Sequence, residues 1–158
     1  MAVIQIILQV CFAAIATICF ALLFGVPTRY YCSCGIIGGI GWLLYILVTP
    51  LTTTAFAIFT AMFTVTILSR WFAVLNRCPT TIFLTSGLIP LVPGADTYRA
   101  AYYMVNGHFD LASSKAFDAI KVAVAIMVGI VLAFELPEKL FHIGSKKIKK
   151  EKSKHDDH

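Results

Sequence analysis

The chain has 158 residues, 59% of them hydrophobic and only 13% charged, with a formal net charge of +5. Soluble domains hold about 45–50% apolar and about 25% charged residues, whereas this chain carries no Asp, Glu, Lys or Arg over 1–28, 30–69 and 78–95. Runs of that length exclude a soluble domain and indicate an all-α integral membrane protein.

The positive charge is local. The lysine-rich run "GSKKIKKEKSKHDDH" closes the chain, which therefore divides into a transmembrane helical region over 1–141 and a basic tail over 142–158. Such a tail reads as a solvated cytoplasmic segment, with contact to anionic lipid as an alternative. Nucleic acid is not an expected partner, because no aromatic or motif context accompanies the lysines.

A span needs about 20 apolar residues. Span one covers about Val3 to Gly25 and is closed by Pro27. No basic segment precedes it and it is long, so it reads as a spanning helix, not a cleaved signal. Ala13, Thr17, Ala21 and Gly25 recur every fourth residue, a small-residue stripe of the kind that lets helices approach closely. Span two covers about Cys34 to Val48 and opens on "GIIGGIGW", where Gly35 and Gly39 form a GxxxG pair suited to tight packing. Pro50 ends it, and "TPLTTT" is a turn. Span three covers about Thr54 to Leu75, with Thr53, Thr60 and Thr64 near one face. Their hydroxyls either bond back to carbonyls of their own helix or form a polar lining. Arg70, Trp71 and Arg77 mark the exit of this span at an interface.

Span four, about Pro79 to Val92, is short for a crossing and runs into Pro90, Pro93 and Gly94. A second helical piece, "ADTYRAAYYMV", follows to Val105, and "NGHFD" is a turn after which Asp110 or Ser113 can cap the next helix. Span five covers about Phe117 to Leu136 and stops at Pro137, with Lys115, Asp118 and Lys121 three apart on one face, towards an aqueous mouth or the interface. Arg29, Arg70, Arg77 and the lysine tail fall on one side of this arrangement, which sets the N-terminus outside and the C-terminus in the cytoplasm.

The remaining chemistry is thin. Cys11 and Cys19 lie in apolar helix, and the "CSC" of Cys32 and Cys34 has no metal-site spacing. His108, His142, His155 and His158 have no ligand partner at helical spacing, and Ser86 has no base near it. Glu135, before Pro137, reads as interfacial rather than as a proton carrier. No catalytic set, metal or cofactor is expected.

Broken backbone at membrane depth is tolerated only where protein or a water-filled cavity surrounds it, and transporters use such breaks to aim free amides at substrate. A plain proline kink between packed helices is the alternative. "IPLVPGADTYRAAY" resembles the P-x-x-P-G-x-x-x-Y-R signature of the threonine/serine exporter (ThrE) family. Length and span pattern resemble its small YjjB-like subunit. The resemblance implies a multi-pass exporter in the bacterial inner membrane for threonine and serine, or for a small carboxylate such as succinate in another branch. It also implies a larger, YjjP-like membrane partner. The signature falls on Pro90, Pro93, Gly94, Tyr98 and Arg99 as substrate-binding candidates. Asp96 joins them from this sequence alone: three residues before Arg99, it can pair with it on one face. If it also faces the cavity, it favours a zwitterionic amino acid over a dicarboxylate. Self-association into a homo-oligomer is left open, and a non-transporting membrane scaffold is the competing reading.

Overall fold

The computed structural model describes residues 2–137 of the chain. The basic tail expected over 142–158 lies outside the described residues, as do His142, His155 and His158. Within them the regular structure is helical: α1 Ala2–Leu23, α2 Tyr31–Val48, α3 Thr54–Asn76, α4 Thr81–Leu88, α5 Gly94–Val105 and α6 Phe109–Glu135. Short 3-10 turns at Thr28–Tyr30 and Ile89–Leu91 lead into α2 and out of α4. Among the described residues four segments are long and apolar enough to cross a membrane: Ile4–Leu23, Thr28–Val48, Thr54–Asn76 and Phe109–Glu135.

Helix ends follow from local chemistry. After α1, Gly25 takes a left-handed φ of 68°, and the Val26 amide reaches back to the Ala21 carbonyl at 3.0 Å, the pattern of a glycine-terminated helix. Pro27 then forbids continuation. Gly25 therefore stands outside α1 and not on its packing stripe. At the end of α3 the left-handed residue is Arg77, with φ 52°.

α2 is the central element, packed against α1, α3 and α4; α6 lies on α3, and α5 packs almost wholly on α6. Phe83 of α4 is fully buried, edge-on to Tyr30 at 5.6 Å and beside Phe72 at 6.0 Å. Ile37, Met62 and Val65 complete the centre of the core. Ala13, Thr17 and Ala21 are buried on α1, as are Gly35 and Gly39 on α2. A Cβ added at Gly35 would meet Ile18 at 2.8 Å, whereas one at Gly39 would meet ordinary contacts at 3.6 Å. The tightest approach there is between Gly38 and Thr17. A second close crossing sits at Gly129 of α6, where a Cβ would come within 3.0 Å of the Phe59 carbonyl oxygen.

Two spans start earlier than their apolar runs suggest. α2 begins at Tyr31 rather than Cys34, and α6 at Phe109 rather than Phe117. The first turns of α6 form a hairpin with α5 and bury Ala112, so packing stabilises helix through a charged stretch. Neither Asp110 nor Ser113 caps it: the N-cap position is His108 without a side-chain bond, and the Ser113 hydroxyl donates to the Asp110 carbonyl at 2.9 Å. The α3 threonines bond back to their own helix, Thr60 to Phe56 at 2.9 Å and Thr64 to Thr60 at 3.0 Å.

Arg70, near the exit of α3, is buried, with 7% of its surface exposed, and turns inward onto the end of α6. Its Nη1 donates to the carbonyls of Ala133, Phe134 and Leu136 at 2.6, 3.1 and 2.9 Å. The last carbonyls of a helix have no intrahelical donor and carry partial negative charge, so a guanidinium is well matched to that position.

Candidate functional site

Asp96, Lys115, Asp118 and Lys121 converge where α5 begins. The 3-10 turn ends at Leu91, Val92 is extended, and α5 restarts at Gly94 with Pro93 in the N-cap position and no side-chain cap. The Gly94 amide turns back to the Val92 carbonyl at 2.7 Å and the Thr97 amide to Pro93 at 3.1 Å. The amides of Ala95 and Asp96 find no backbone acceptor among the described residues. They are orphan donors of a helix N-terminus, where partial positive charge gathers.

Two cavities adjoin this restart. One, of about 180 Å³, is walled by Trp42 and Tyr45 of α2, by the segment Pro90–Asp96 and by Ile58 and Val122. The other, of about 450 Å³, lies between Thr53, Thr54 and Ala55 at the head of α3 and Asp96, Lys115, Asp118 and Lys121. Thr54, Asp96 and Val122 belong to both walls. The indole Nε1 of Trp42 is buried without a hydrogen-bond partner among the described residues.

Asp96 is held from α6. Lys115 Nζ lies 3.7 Å from its Oδ1 and 3.6 Å from Asp118 Oδ2, and Lys121 Nζ lies 3.3 Å from Asp118 Oδ1. The carboxylates and ammonium groups thus alternate in one row. The expected pairing of Asp96 with Arg99 is replaced by this one, because the α5–α6 hairpin brings a lysine to Asp96 while Arg99 points to the exposed side of α5.

Of the sequence-based candidates, Pro90, Pro93, Gly94 and Asp96 line the smaller cavity. Tyr98 and Arg99 are exposed and line neither; Tyr98 instead stacks on Tyr102 at 6.3 Å. Lys115, Asp118 and Lys121 meet a polar cavity, one of the two settings their three-residue spacing suggested. What the sequence did not disclose is that Asp96 closes their row. No group of histidine, cysteine or acidic side chains among the described residues is arranged to hold a metal. Cys34 is buried while Cys32 is exposed, and the five cysteines are free thiols. Cys78, beyond the end of α3, has its thiol pushed up by burial, opposed by a Tyr30 hydrogen bond and the Arg29 charge.

The family model described as threonine/serine exporter, ThrE, matches residues 9–135. No match was found among curated proteins or among solved structures.

Proposed function

The chain belongs to the threonine/serine exporter (ThrE) family, and from that premise we propose that it is one subunit of a secondary exporter of small amino acids in the bacterial inner membrane. A larger membrane subunit of the same family completes the carrier. The observation that carries this reading is the neutral, alternating charge row at a helix restart otherwise flanked by apolar helices. Charges in membrane helices are costly and mark substrate or ion paths.

The chain direction supports a fifth crossing. The C-terminal end of α6 meets Arg70 near the end of α3, and Val122 shares a cavity wall with Thr54 at the head of α3. The two helices therefore run the same way, and the chain between them must return. At about 1.5 Å per residue, the helical stretch Thr81–Leu91 is short for about 30 Å of hydrocarbon, and the return path ends at Pro90, Pro93 and Gly94, where Asp96 reaches the level of Thr53 and Thr54 at the head of α3. The positive-inside distribution of Arg29 and Arg77 then puts the cavity towards the outer face.

Asp96, Lys115 and the amides of Ala95 and Asp96 are the proposed contacts for a zwitterion. A row with two carboxylates and two ammonium groups has no surplus positive charge for a dicarboxylate, which favours threonine or serine over succinate. The test is efflux of L-threonine, L-serine and succinate from cells expressing the chain with and without its partner. The same assay is applied to Asp96→Asn, Arg99→Ala and Arg99→Lys at matched expression. Amino-acid efflux that needs both chains and falls with Asp96→Asn supports the reading. Unchanged efflux in Asp96→Asn places the site elsewhere, while the Arg99 variants, outside both cavities, are expected to export like the parent.

A further inference from the structure

The charge row is asymmetric in what each member would lose. Asp118 has two cations, Lys115 at 3.6 Å and Lys121 at 3.3 Å. Asp96 has one among the described residues, Lys115 at 3.7 Å. If Lys115 turns away, Asp118 keeps Lys121 and Asp96 is left unpaired. The Asp96–Lys115 contact is long, and both side chains are about a third exposed, at 32% and 34%, so water screens it. Among the described residues it is also the ion pair that joins α5 to α6.

We propose that the Asp96–Lys115 pair is a ligand-exchange site: a zwitterion's carboxylate takes Asp96's place on Lys115, and its ammonium group takes Lys115's place on Asp96. This rests on the reading of this cavity as the substrate site. The exchange keeps every charge partnered and the cavity neutral. A ligand with a carboxylate alone leaves Asp96 unpaired beside a second anion, and a ligand with an ammonium alone leaves Lys115 sharing Asp118 with Lys121 and brings an unbalanced positive charge into the row. Selectivity for zwitterions thus follows from the pair itself and needs no separate filter. Thr53 and Thr54 line the opposite wall and offer hydroxyls to whichever part of the ligand lies away from the pair. Since the same pair fastens α5 to α6, the exchange also replaces a direct tie between the two helices by one through the ligand. Lys115 and Asp96 are therefore recognition residues, and Asp118 with Lys121 is a positioning pair that holds the second half of the row in place.

The experiment measures binding of labelled L-threonine to the full chain, with its partner subunit, in lipid nanodiscs. L-Threonine amide, which lacks the carboxylate, and N-acetyl-L-threonine, which lacks the ammonium, serve as competitors. Lys115→Gln is expected to weaken threonine at least tenfold and to leave the already weak binding of the amide unchanged. Asp96→Asn is expected to weaken threonine similarly and to leave N-acetyl-threonine unchanged. If Lys115→Gln binds threonine like the parent, the exchange is wrong while the transporter reading stands. If it loses threonine and the amide to the same degree, Lys115 is only a helix clamp and the exchange is again wrong. Should Lys115→Gln not fold, the Asp96→Asn arm with N-acetyl-threonine decides in the same way. A parent complex that neither binds nor exports threonine overturns the site reading, and the exchange falls with it.

Discussion

Arg70 and Ala133 are joined across 63 positions of sequence by a 2.6 Å hydrogen bond from guanidinium Nη1 to backbone carbonyl. The same nitrogen reaches Phe134 and Leu136, and the guanidinium carbon lies 5.5 Å from the centre of the Phe134 ring. A buried cation is thereby held by the carbonyls at the end of a helix, and the end of α6 is tied to α3.

Removing that tie should be costly. Hydrogen bonds to a charged group are worth about 1.5–3 kcal/mol each in mutational series, and carbonyls left without donors in an apolar setting add to the loss. Arg70→Ala is expected to lower the melting temperature of the detergent-solubilised chain markedly, and Arg70→Lys to recover part of it. Melting of Arg70→Ala at the parent temperature would show that α6 ends elsewhere.

The glycines make a second, graded prediction. At Gly129 an added Cβ meets the Phe59 carbonyl oxygen at 3.0 Å and the Phe63 amide nitrogen at 3.3 Å, both backbone atoms that cannot turn away. At Gly39 the nearest atoms are side-chain carbons at 3.6 Å, an ordinary contact. Gly129→Ala is therefore expected to cost about 1–3 kcal/mol, the usual range for overpacking, and Gly39→Ala to be tolerated. Equal melting of the two variants would contradict the close α3–α6 crossing.

Gly35 and Gly39 show what was legible and what was not. Their four-residue spacing, like that of Ala13, Thr17 and Ala21, is a property of one helix and can be read from sequence. The tighter crossings at Gly38 and Gly129 depend on which residues of another helix come opposite, Thr17 in one case and the Phe59–Phe63 stretch in the other. That register is a tertiary fact. The same division runs through the site. The interruption at Pro90, Pro93 and Gly94 was visible because proline and glycine act on their own backbone. The partner of Asp96 was not: helical periodicity offers Arg99, and the competing Lys115 arrives by a hairpin that sequence spacing does not encode.

Buried hydroxyls give a third test. Ser69 is fully buried and its Oγ has no partner among the described residues, while Thr66, one turn earlier, donates to the Met62 carbonyl at 2.8 Å. Deleting an unpaired polar atom removes a desolvation cost, whereas deleting a paired one removes a bond. Ser69→Ala should melt at or above the parent and Thr66→Val below it. A Ser69→Ala variant less stable than the parent would mean that its hydroxyl is used in the assembled protein.

Orientation can be read with single cysteines in a cysteine-free background. Arg29 and Arg77 are exposed near the end of α1 and just after α3. Arg70 is buried and held by α6, so it adds nothing to the positive-inside count. Probes at Thr52 and at Gly107, both exposed turn residues, are expected to react with a membrane-impermeant maleimide from outside intact cells. A probe at Lys152 should react only after permeabilisation. Labelling of Thr52 only after permeabilisation would invert the topology, and with it the side from which the cavity opens.

The helix restart separates two roles that the sequence motif leaves joined. An added Cβ at Gly94 meets nothing within 4 Å, and its φ is not in the left-handed region, so neither crowding nor strain requires glycine there. A Gly94→Ala change should therefore leave the fold intact and slightly favour the helix, since glycine is the weaker helix former by about 1 kcal/mol. Gly94 lines the smaller cavity, beside the amides of Ala95 and Asp96 that find no backbone acceptor among the described residues. If a ligand carboxylate approaches those amides, a methyl group at 94 stands in its way. The expected outcome is a variant that melts at or above the parent temperature and exports threonine several-fold more slowly. Pro93→Ala should act by another route, by freeing an N–H and relaxing the constraint that keeps the residue before proline out of helical geometry, so that α4 and α5 can join and both stability and export change. Parent-like export by Gly94→Ala would remove the amides of α5 from the binding site and leave recognition to the side chains of the charge row.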